Sequence, residues 1–436
     1  MKAAIYTLGC KVNQYESAAL AGVLKKAGVE IVDFSDTADV YVINTCSVTA
    51  ESDRKSRSAI NRAVKKNPAA LICVCGCYAQ LQSERVMAMP GVDIVTGTKD
   101  RMAFAKLIIE NAGRKSKLLS VRDPFSVREF EKMSASDALE RTRMSIKIED
   151  GCDNFCSYCV IPYARGPIVS KPFSDIQSEL SGIIKRGYKE IVLTGIHISS
   201  YGKDIKYEKT LSDVLSLCED AEGDFRVRLG SLNLSCFDEA FLSALPSFKR
   251  LCPHFHISLQ SGCDRTLAAM NRRYTAAEFE ETLIKIRRAL PSSSVTTDVI
   301  VGFPGETEED FSESLEFVKR QRFLKVHVFP FSSRPGTRAE KMPGHLTRAE
   351  KSRRVAVMSE AAKGVAERFL DEQTGKVREV LIEEKTDDCT YRGYTENYCM
   401  THVFSETPIE GERVAVRIEK REGEVLFGGA ARPFVR

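Results

Sequence analysis

The sequence predicts an α/β multidomain chain in three parts: an N-terminal parallel-sheet α/β domain, a central partial (β/α)6 barrel and a C-terminal small antiparallel β-barrel. Short apolar runs alternate with helix-spaced stretches three times before residue 125 and six times between residues 144 and 374, and strands alternating with helices imply parallel sheets. From residue 375 the pattern switches to apolar–polar alternation broken by turns, as in a small antiparallel barrel. A polar, charge-rich stretch, RDPFSVREFEKMSASDALERTR, separates the first two blocks and reads as a solvated linker. The expected divisions are 1–125, a linker at 126–143, 144–374 and 375–436.

With 436 residues and 43% hydrophobic side chains, the chain has room for two or three ordinary cores. The opening MKAAIYTLGC has no long apolar h-region, and no later run approaches the roughly 18 apolar residues of a membrane span. No membrane partner and a cytoplasmic location are therefore expected, with the 14 cysteines held as reduced thiols. A net charge of +4 points to no partner by itself, so any nucleic-acid contact must come from local patches.

In the first part, strands are expected at 2–8, 39–44 and 71–76, with helices at 15–26 and up to Lys66. Ligands of parallel sheets bind at the carboxyl ends of the strands, and Cys10, Cys46 and Cys77 each fall at such an end. Distant in sequence, they would meet at one sheet edge and form a three-thiolate site. Cys73 and Cys75 share the face of Cys77 but lie deeper, and read as core, with Cys75 a reserve ligand.

The loop GCDNFCSYC (151–159) follows the first strand of the second part and puts Cys152, Cys156 and Cys159 within eight residues. That spacing is too tight and uneven for paired zinc knuckles, and a fourth ligand is missing nearby. Iron–sulfur clusters take cysteine thiolates, usually four, so three leave one iron open to a reactant. The six strands are expected at 144–148, 190–194, 225–229, 254–259, 295–301 and 324–330. Barrel chemistry sits at the C-terminal strand ends, where Gly195, Gly230, Gln260, Gly262 and the run GFPGE (302–306) fall, and glycine lets a cofactor lie against backbone. Asp298 projects from an apolar strand and needs a partner or a role, while His254 and His256 read as satisfied polar groups rather than metal ligands.

TLGCKVNQYES, INTCSVT, GCYAQ and the GCDNFCSYC loop together resemble the methylthiotransferases, the MiaB and RimO family of radical S-adenosylmethionine (SAM) enzymes. The resemblance covers essentially the whole chain. It implies two [4Fe–4S] clusters, one on Cys152, Cys156 and Cys159 that binds SAM and one on Cys10, Cys46 and Cys77. It also implies that Tyr158, Gly195, Gln260, Asp298, Gly302 and Glu306 border the SAM pocket. Where the family commonly has an SSxEP-like turn this chain has Gly230-Ser231-Leu232-Asn233, so no ribose contact is expected there. The opening GCKVN, in place of the GCQMN of the MiaB branch or the GCPKN of the RimO branch, and His197 in LTGIHISSYG resemble the branch that adds a methylthio group to N(6)-threonylcarbamoyladenosine beside the tRNA anticodon.

A long helix is expected at 347–374, its mixed charges reading as a solvated face with RNA contact the alternative. The last part contains GYTENY and resembles the TRAM domain, an OB-like RNA-binding module, with Tyr391, Tyr394 and Tyr398 interleaved with Arg378 and Arg392 as expected base and phosphate contacts. By resemblance, reductive cleavage of SAM would take hydrogen from the adenine CH between the ring nitrogens, and the second cluster would deliver a methylated sulfur. Implied partners are a tRNA anticodon stem-loop and an electron donor such as flavodoxin or ferredoxin. The alternatives are action on N(6)-isopentenyladenosine or on a ribosomal-protein aspartate, and a non-catalytic iron–sulfur RNA-binding protein.

Overall fold

The computed structural model describes residues 1–135, 142–206 and 208–433, with the side chains of 431–433 left out. Six parallel strands form the N-terminal sheet in the order Glu30–Val32, Lys2–Thr7, Val40–Thr45, Leu71–Gly76, Ile94–Thr96, Leu118–Ser120. Every residue of the two middle strands is buried, because helices cover both faces of a parallel sheet. Tyr41, Ile43 and Val74 pack on one side, and Val42, Cys73 and Cys75 pack with Leu20 and Phe104 on the other. Cys73 and Cys75 are thus core thiols. The first helix, Lys11–Lys26, begins four residues before the sequence places it, and three outer strands of three residues each are too short to stand out in the sequence.

The central strands Arg143–Lys147, Glu190–Thr194 and Arg226–Leu229 pair in parallel. Gly230 then leads into Ser231–Leu232, which pairs with His254–Ile257, followed by Ser294–Val301 and Lys325–Pro330, again all parallel. Gly230 therefore hinges a three-stranded and a four-stranded sheet into one open, curved wall, a partial barrel. Three of its helices start at reciprocal caps, Thr210 with Asp213, Thr275 with Glu278 and Thr307 with Asp310, each satisfying two orphan backbone donors. Apolar faces led by Phe255, Phe279 and Phe317 fill the space between strands and helices. The long helix Arg348–Asp371 starts at the Thr347 cap and keeps Arg348, Arg353, Lys363 and Arg368 exposed, burying only Arg354 of its cations. Arg354 is buried on Glu306 and Glu350, Lys351 donates to Phe331 O, and Arg368 donates to Lys319 O.

Five strands, Val377–Lys385, Thr390–Thr395, Met400–Phe404, Arg413–Glu422 and Val425–Pro433, close the C-terminal barrel. Four of its pairings are antiparallel, and Met400–Phe404 pairs in parallel with Val425–Pro433 to close it. Arg226 and Arg228, aligned by the buried Glu190, donate to the carbonyls of Glu379, Tyr394, Thr395 and Glu396 and dock this barrel at the N-terminal ends of the central strands. The expected row of RNA-facing aromatics is corrected: Tyr391 is 3% exposed and sits in the barrel core. Arg378 is buried against Glu396, and Arg392 pairs with Glu384. The linker is only partly solvated, since Ala135 is buried and Met133 O accepts from Tyr15. Its residues 136–141 lie outside the described ones.

Candidate functional site

The three-cysteine loop is held by backbone. Gly151 has φ +86°, and a Cβ there would lie 1.9 Å from Pro167 O, so only glycine lets the chain turn into the loop. Cys152 N donates to Gly166 O at 3.1 Å and Cys159 N to Cys156 O at 3.0 Å. Ser157 N donates to Met270 O, and its own carbonyl accepts from Ala339 N. Burial pushes the thiols of Cys152 and Cys159 up to about 12, so a thiolate at either needs a nearby positive charge. Arg272 supplies one for Cys159, and its Nη1 lies 3.5 Å from Cys156 Sγ. Three thiols free of disulfides beside a buried guanidinium fit an iron–sulfur cluster by donor chemistry.

The N-terminal cysteines meet as their strand ends predict. Cys46 and Cys77 directly follow the strands Val40–Thr45 and Leu71–Gly76, and Cys10 follows Lys2–Thr7 across a glycine turn. Gly9 has φ +98°, and a Cβ on it would come within 2.9 Å of Cys46 Sγ. Asn13 Nδ2 ties two of these strand ends together by donating to Leu8 O and Thr45 O at 2.7 and 3.1 Å. Burial pushes Cys77 up to about 12, with the Cys46 and Cys10 sulfurs close enough to add to the shift. This second set of three thiols also suits a cluster.

A buried ionic network joins the two sets. Glu16, 1% exposed, accepts from Lys147 at 2.7 Å, Arg165 at 2.8 Å and Arg101 at 3.0 Å. Asp150 accepts from Lys147 and Arg165 at 3.0 Å and from Lys99 at 3.1 Å. Arg165 also reaches Asn13 Oδ1 at 2.7 Å. Burial alone would raise the Glu16 carboxyl, but Arg165, Lys147 and Arg101 together outweigh it and hold it well below its usual range. Glu16 follows Cys10 within one helix, while Asp150 and Arg165 flank the three-cysteine loop, so the network fixes the loop against the N-terminal sheet. The sequence offered no pattern for it, because its members lie up to 149 residues apart.

A cavity of about 820 Å³ runs through the central barrel and is lined from all three parts, with Cys10 and Lys11 on one wall, Gly195, His256, Asp298 and His327 on another, and Tyr394 and Tyr398 at the C-terminal barrel. Gly195 has no room for a side chain, since a Cβ would meet Glu149 Oε2 at 2.7 Å. The cysteine loop contacts the turn that follows Gly195, where Asn154 Nδ2 lies 3.1 Å from His197 Nε2. His256 bonds Thr296 Oγ1 at 2.9 Å and Asp298 at 3.2 Å. Ligand atoms of His256, Asp298 and His327 lie within 4.8 Å of one another. His327 was not singled out by the sequence, although it shares the parity of Lys325, which also faces the cavity. Lys11, exposed on the cavity wall, has no hydrogen-bond or ion-pair partner among the described residues.

Of the other expected SAM-pocket residues, Tyr158 packs against Met270, Phe303, Phe331 and Ala339. Gln260, at φ +70°, exchanges backbone bonds with Asp298 and Ile300 at 2.8 and 2.9 Å. Gly302 has φ +73°. Glu306 accepts from Gly302 N in its own turn and from Arg354 of the long helix, at 2.6 Å each.

Residues 2–97 match the uncharacterized protein family UPF0004, residues 146–318 the radical SAM superfamily and residues 371–431 the TRAM domain. The threonylcarbamoyladenosine tRNA methylthiotransferase MtaB of Bacillus subtilis (strain 168) is 41% identical over 96% of this chain and 93% of its own length. Its namesake in Thermotoga maritima is 40% identical over 96% and 95%. The tRNA-2-methylthio-N(6)-dimethylallyladenosine synthase of Thermodesulfovibrio yellowstonii is 33% identical over 97% of both chains. In fold, the chain resembles the radical SAM methyltransferase TsrM from Kitasatospora setae, with TM-score 0.55, 15% identity and coverage of 75% of this chain and 72% of that one. Radical SAM membership implies a [4Fe–4S] cluster and SAM, and no helix among the described residues is long and apolar enough to cross a membrane. With relatives above 30% identity over nearly their full length, the chain belongs to the methylthiotransferase family of radical SAM enzymes.

Proposed function

We propose that this enzyme adds a methylthio group to N(6)-threonylcarbamoyladenosine beside the anticodon of tRNA. Its working parts would be 1–125 with the second thiol set, the linker 126–143, the radical SAM part 144–374 and the RNA-binding part 375–436. The observation that carries this reading is a cavity bordered by Cys10 and by Gly195, whose following turn meets the Cys152, Cys156 and Cys159 loop through Asn154 and His197, in a chain 41% identical to a relative named for that activity.

Bound at the two thiol sets, [4Fe–4S] clusters and SAM supply radical initiation and the sulfur to be transferred. The protein's own contribution is positional. Arg272 offsets thiolate charge at Cys156, and the Glu16–Arg165–Asp150 network fixes the spacing of the two thiol sets. The cavity walls exclude water and orient the target base. Gly195, Gln260, Asp298, Gly302, Glu306 and Tyr158 are proposed to border SAM. A flavodoxin- or ferredoxin-like electron donor completes the system, working in the cytoplasm.

Nucleoside mass spectrometry of tRNA from cells with and without the gene tests this. Loss of 2-methylthio-N(6)-threonylcarbamoyladenosine alone is expected. Loss of the isopentenyl analogue instead would overturn the substrate, and no change in either would point to a ribosomal-protein aspartate.

A further inference from the structure

Lys11 is the one lining cation of the barrel cavity without a partner among the described residues. Lys325 pairs with Glu424 at 3.1 Å, and Asp298 is engaged by His256. Exposed on the cavity wall, the Lys11 ammonium is free to meet an incoming anion. Its position says which end of the cavity that charge serves. Lys11 starts the helix after Cys10 and lines the cavity with Tyr394 and Tyr398, the rings over which Arg143 and Arg228 lie. Arg143 and Glu190 are the first residues of their strands, whereas the three-cysteine loop lies at the opposite, C-terminal strand ends. The ammonium therefore serves the part of the cavity toward Tyr394 and Tyr398, away from the loop. Those stacked rings, with centroids 5.0 Å apart, close that end with aromatic and cationic groups. The first helical turn carries no acidic residue and no side-chain cap, so its dipole adds to the positive field.

An adenosine whose exocyclic nitrogen carries a threonylcarbamoyl group brings one anion into such a cavity, the threonine carboxylate; an isopentenyl group brings none. We propose that Lys11 binds the carboxylate of the threonylcarbamoyl substituent and so sets which modified adenosine the enzyme accepts. This rests on the substrate reading above. It also gives a role to the first position after the cysteine in GCKVN, the motif that carries the branch resemblance.

The test uses cluster-loaded wild type, Lys11→Gln and Lys11→Arg, with anticodon stem-loop RNAs carrying N(6)-threonylcarbamoyladenosine, its methyl ester or N(6)-isopentenyladenosine. Binding is read by fluorescence anisotropy and turnover by mass spectrometry. A charge-assisted hydrogen bond predicts that Lys11→Gln weakens binding of the acid by about 10- to 100-fold. The ester and the isopentenyl RNA should bind both proteins alike, and Lys11→Arg should retain most of the affinity. An equal loss on all three RNAs would mean a backbone-phosphate contact and overturn the proposal. A raised KM for SAM with unchanged RNA affinity would assign the lysine to the SAM carboxylate and overturn it equally. If Lys11→Gln does not fold, wild type alone decides, since equal affinity for acid and ester contradicts the proposal. Should wild type modify the isopentenyl RNA and not the acid, the substrate reading fails. Should it modify the acid while Lys11→Gln changes nothing, only the assignment of Lys11 fails.

Discussion

Replacing Glu16 with glutamine removes the carboxylate shared by Arg101, Lys147 and Arg165, all within 3.0 Å of it. The substitution keeps volume and one acceptor, so what is lost is charge compensation for three buried cations. Asp150 remains for Lys147 and Arg165, while Arg101 is left with no ion pair among the described residues but keeps its bond to Gly97 O at 2.7 Å. Breaking a buried pair by removing one partner costs about 3–5 kcal/mol, and because the three bonds share one acceptor their costs do not sum. At roughly 2–4 °C per kcal/mol for domains of this size, the melting transition should fall by roughly 6–20 °C. Acid sensitivity should change with it. Glu16 is held below its ordinary value of 4.5, so its stabilisation is present above that value and is lost as pH falls through the folded one. The variant should therefore have a shallower acid limb. Calorimetry of wild type and Glu16→Gln from pH 3 to 7 checks both points. A melting point lowered by less than about 2 °C, with an unchanged acid limb, would refute the idea that the network clamps the two thiol sets.

Gly151→Ala forces a Cβ to within 1.9 Å of Pro167 O and should distort the cysteine loop, read as loss of iron at the loop site while the far-ultraviolet dichroism stays near wild type. Arg226→Ala removes bonds to Glu379 O and Tyr394 O at 3.1 and 3.0 Å, so hydrogen exchange in residues 377–425 should quicken at least tenfold while the N-terminal sheet is unaffected. His254 is buried, and burial with nearby Arg228 holds it well below its ordinary 6.5. The unfolded chain then takes up a proton the folded one refuses, and stability falls as pH drops below about 6.5, by up to about 1.4 kcal/mol per unit. His254→Gln should flatten the melting-point profile between pH 7 and 5.

What the sequence made legible was whatever depends on period and on strand ends. The positions of Cys10, Cys46 and Cys77 followed from three apolar runs, because a parallel sheet brings successive strand ends to one edge. The six central strands were readable within a residue or two at most ends, whereas the junction at Gly230 was not, since a change of sheet leaves no mark on periodicity. Side-chain partners lay beyond reach for another reason. Glu16 resembles any helix-surface acid until Arg165 is brought to it from 149 residues away, and Glu306 gives no sign of its partner Arg354. Tyr391, Tyr394 and Tyr398 were read as one aromatic row, yet the first is in the barrel core and the other two line the cavity. Spacing of two or three along a strand and its turn does not fix which face a ring takes once the barrel closes.

The proposal that six cysteines hold two clusters is tested most directly by iron and acid-labile sulfide analysis of anaerobically reconstituted protein. Wild type should be compared with the triple variants Cys10→Ala/Cys46→Ala/Cys77→Ala and Cys152→Ala/Cys156→Ala/Cys159→Ala. The account predicts about eight irons per wild-type chain and about four in each variant, with SAM cleavage lost only in the second. About four irons in wild type, or an undiminished count in the first variant, would contradict it.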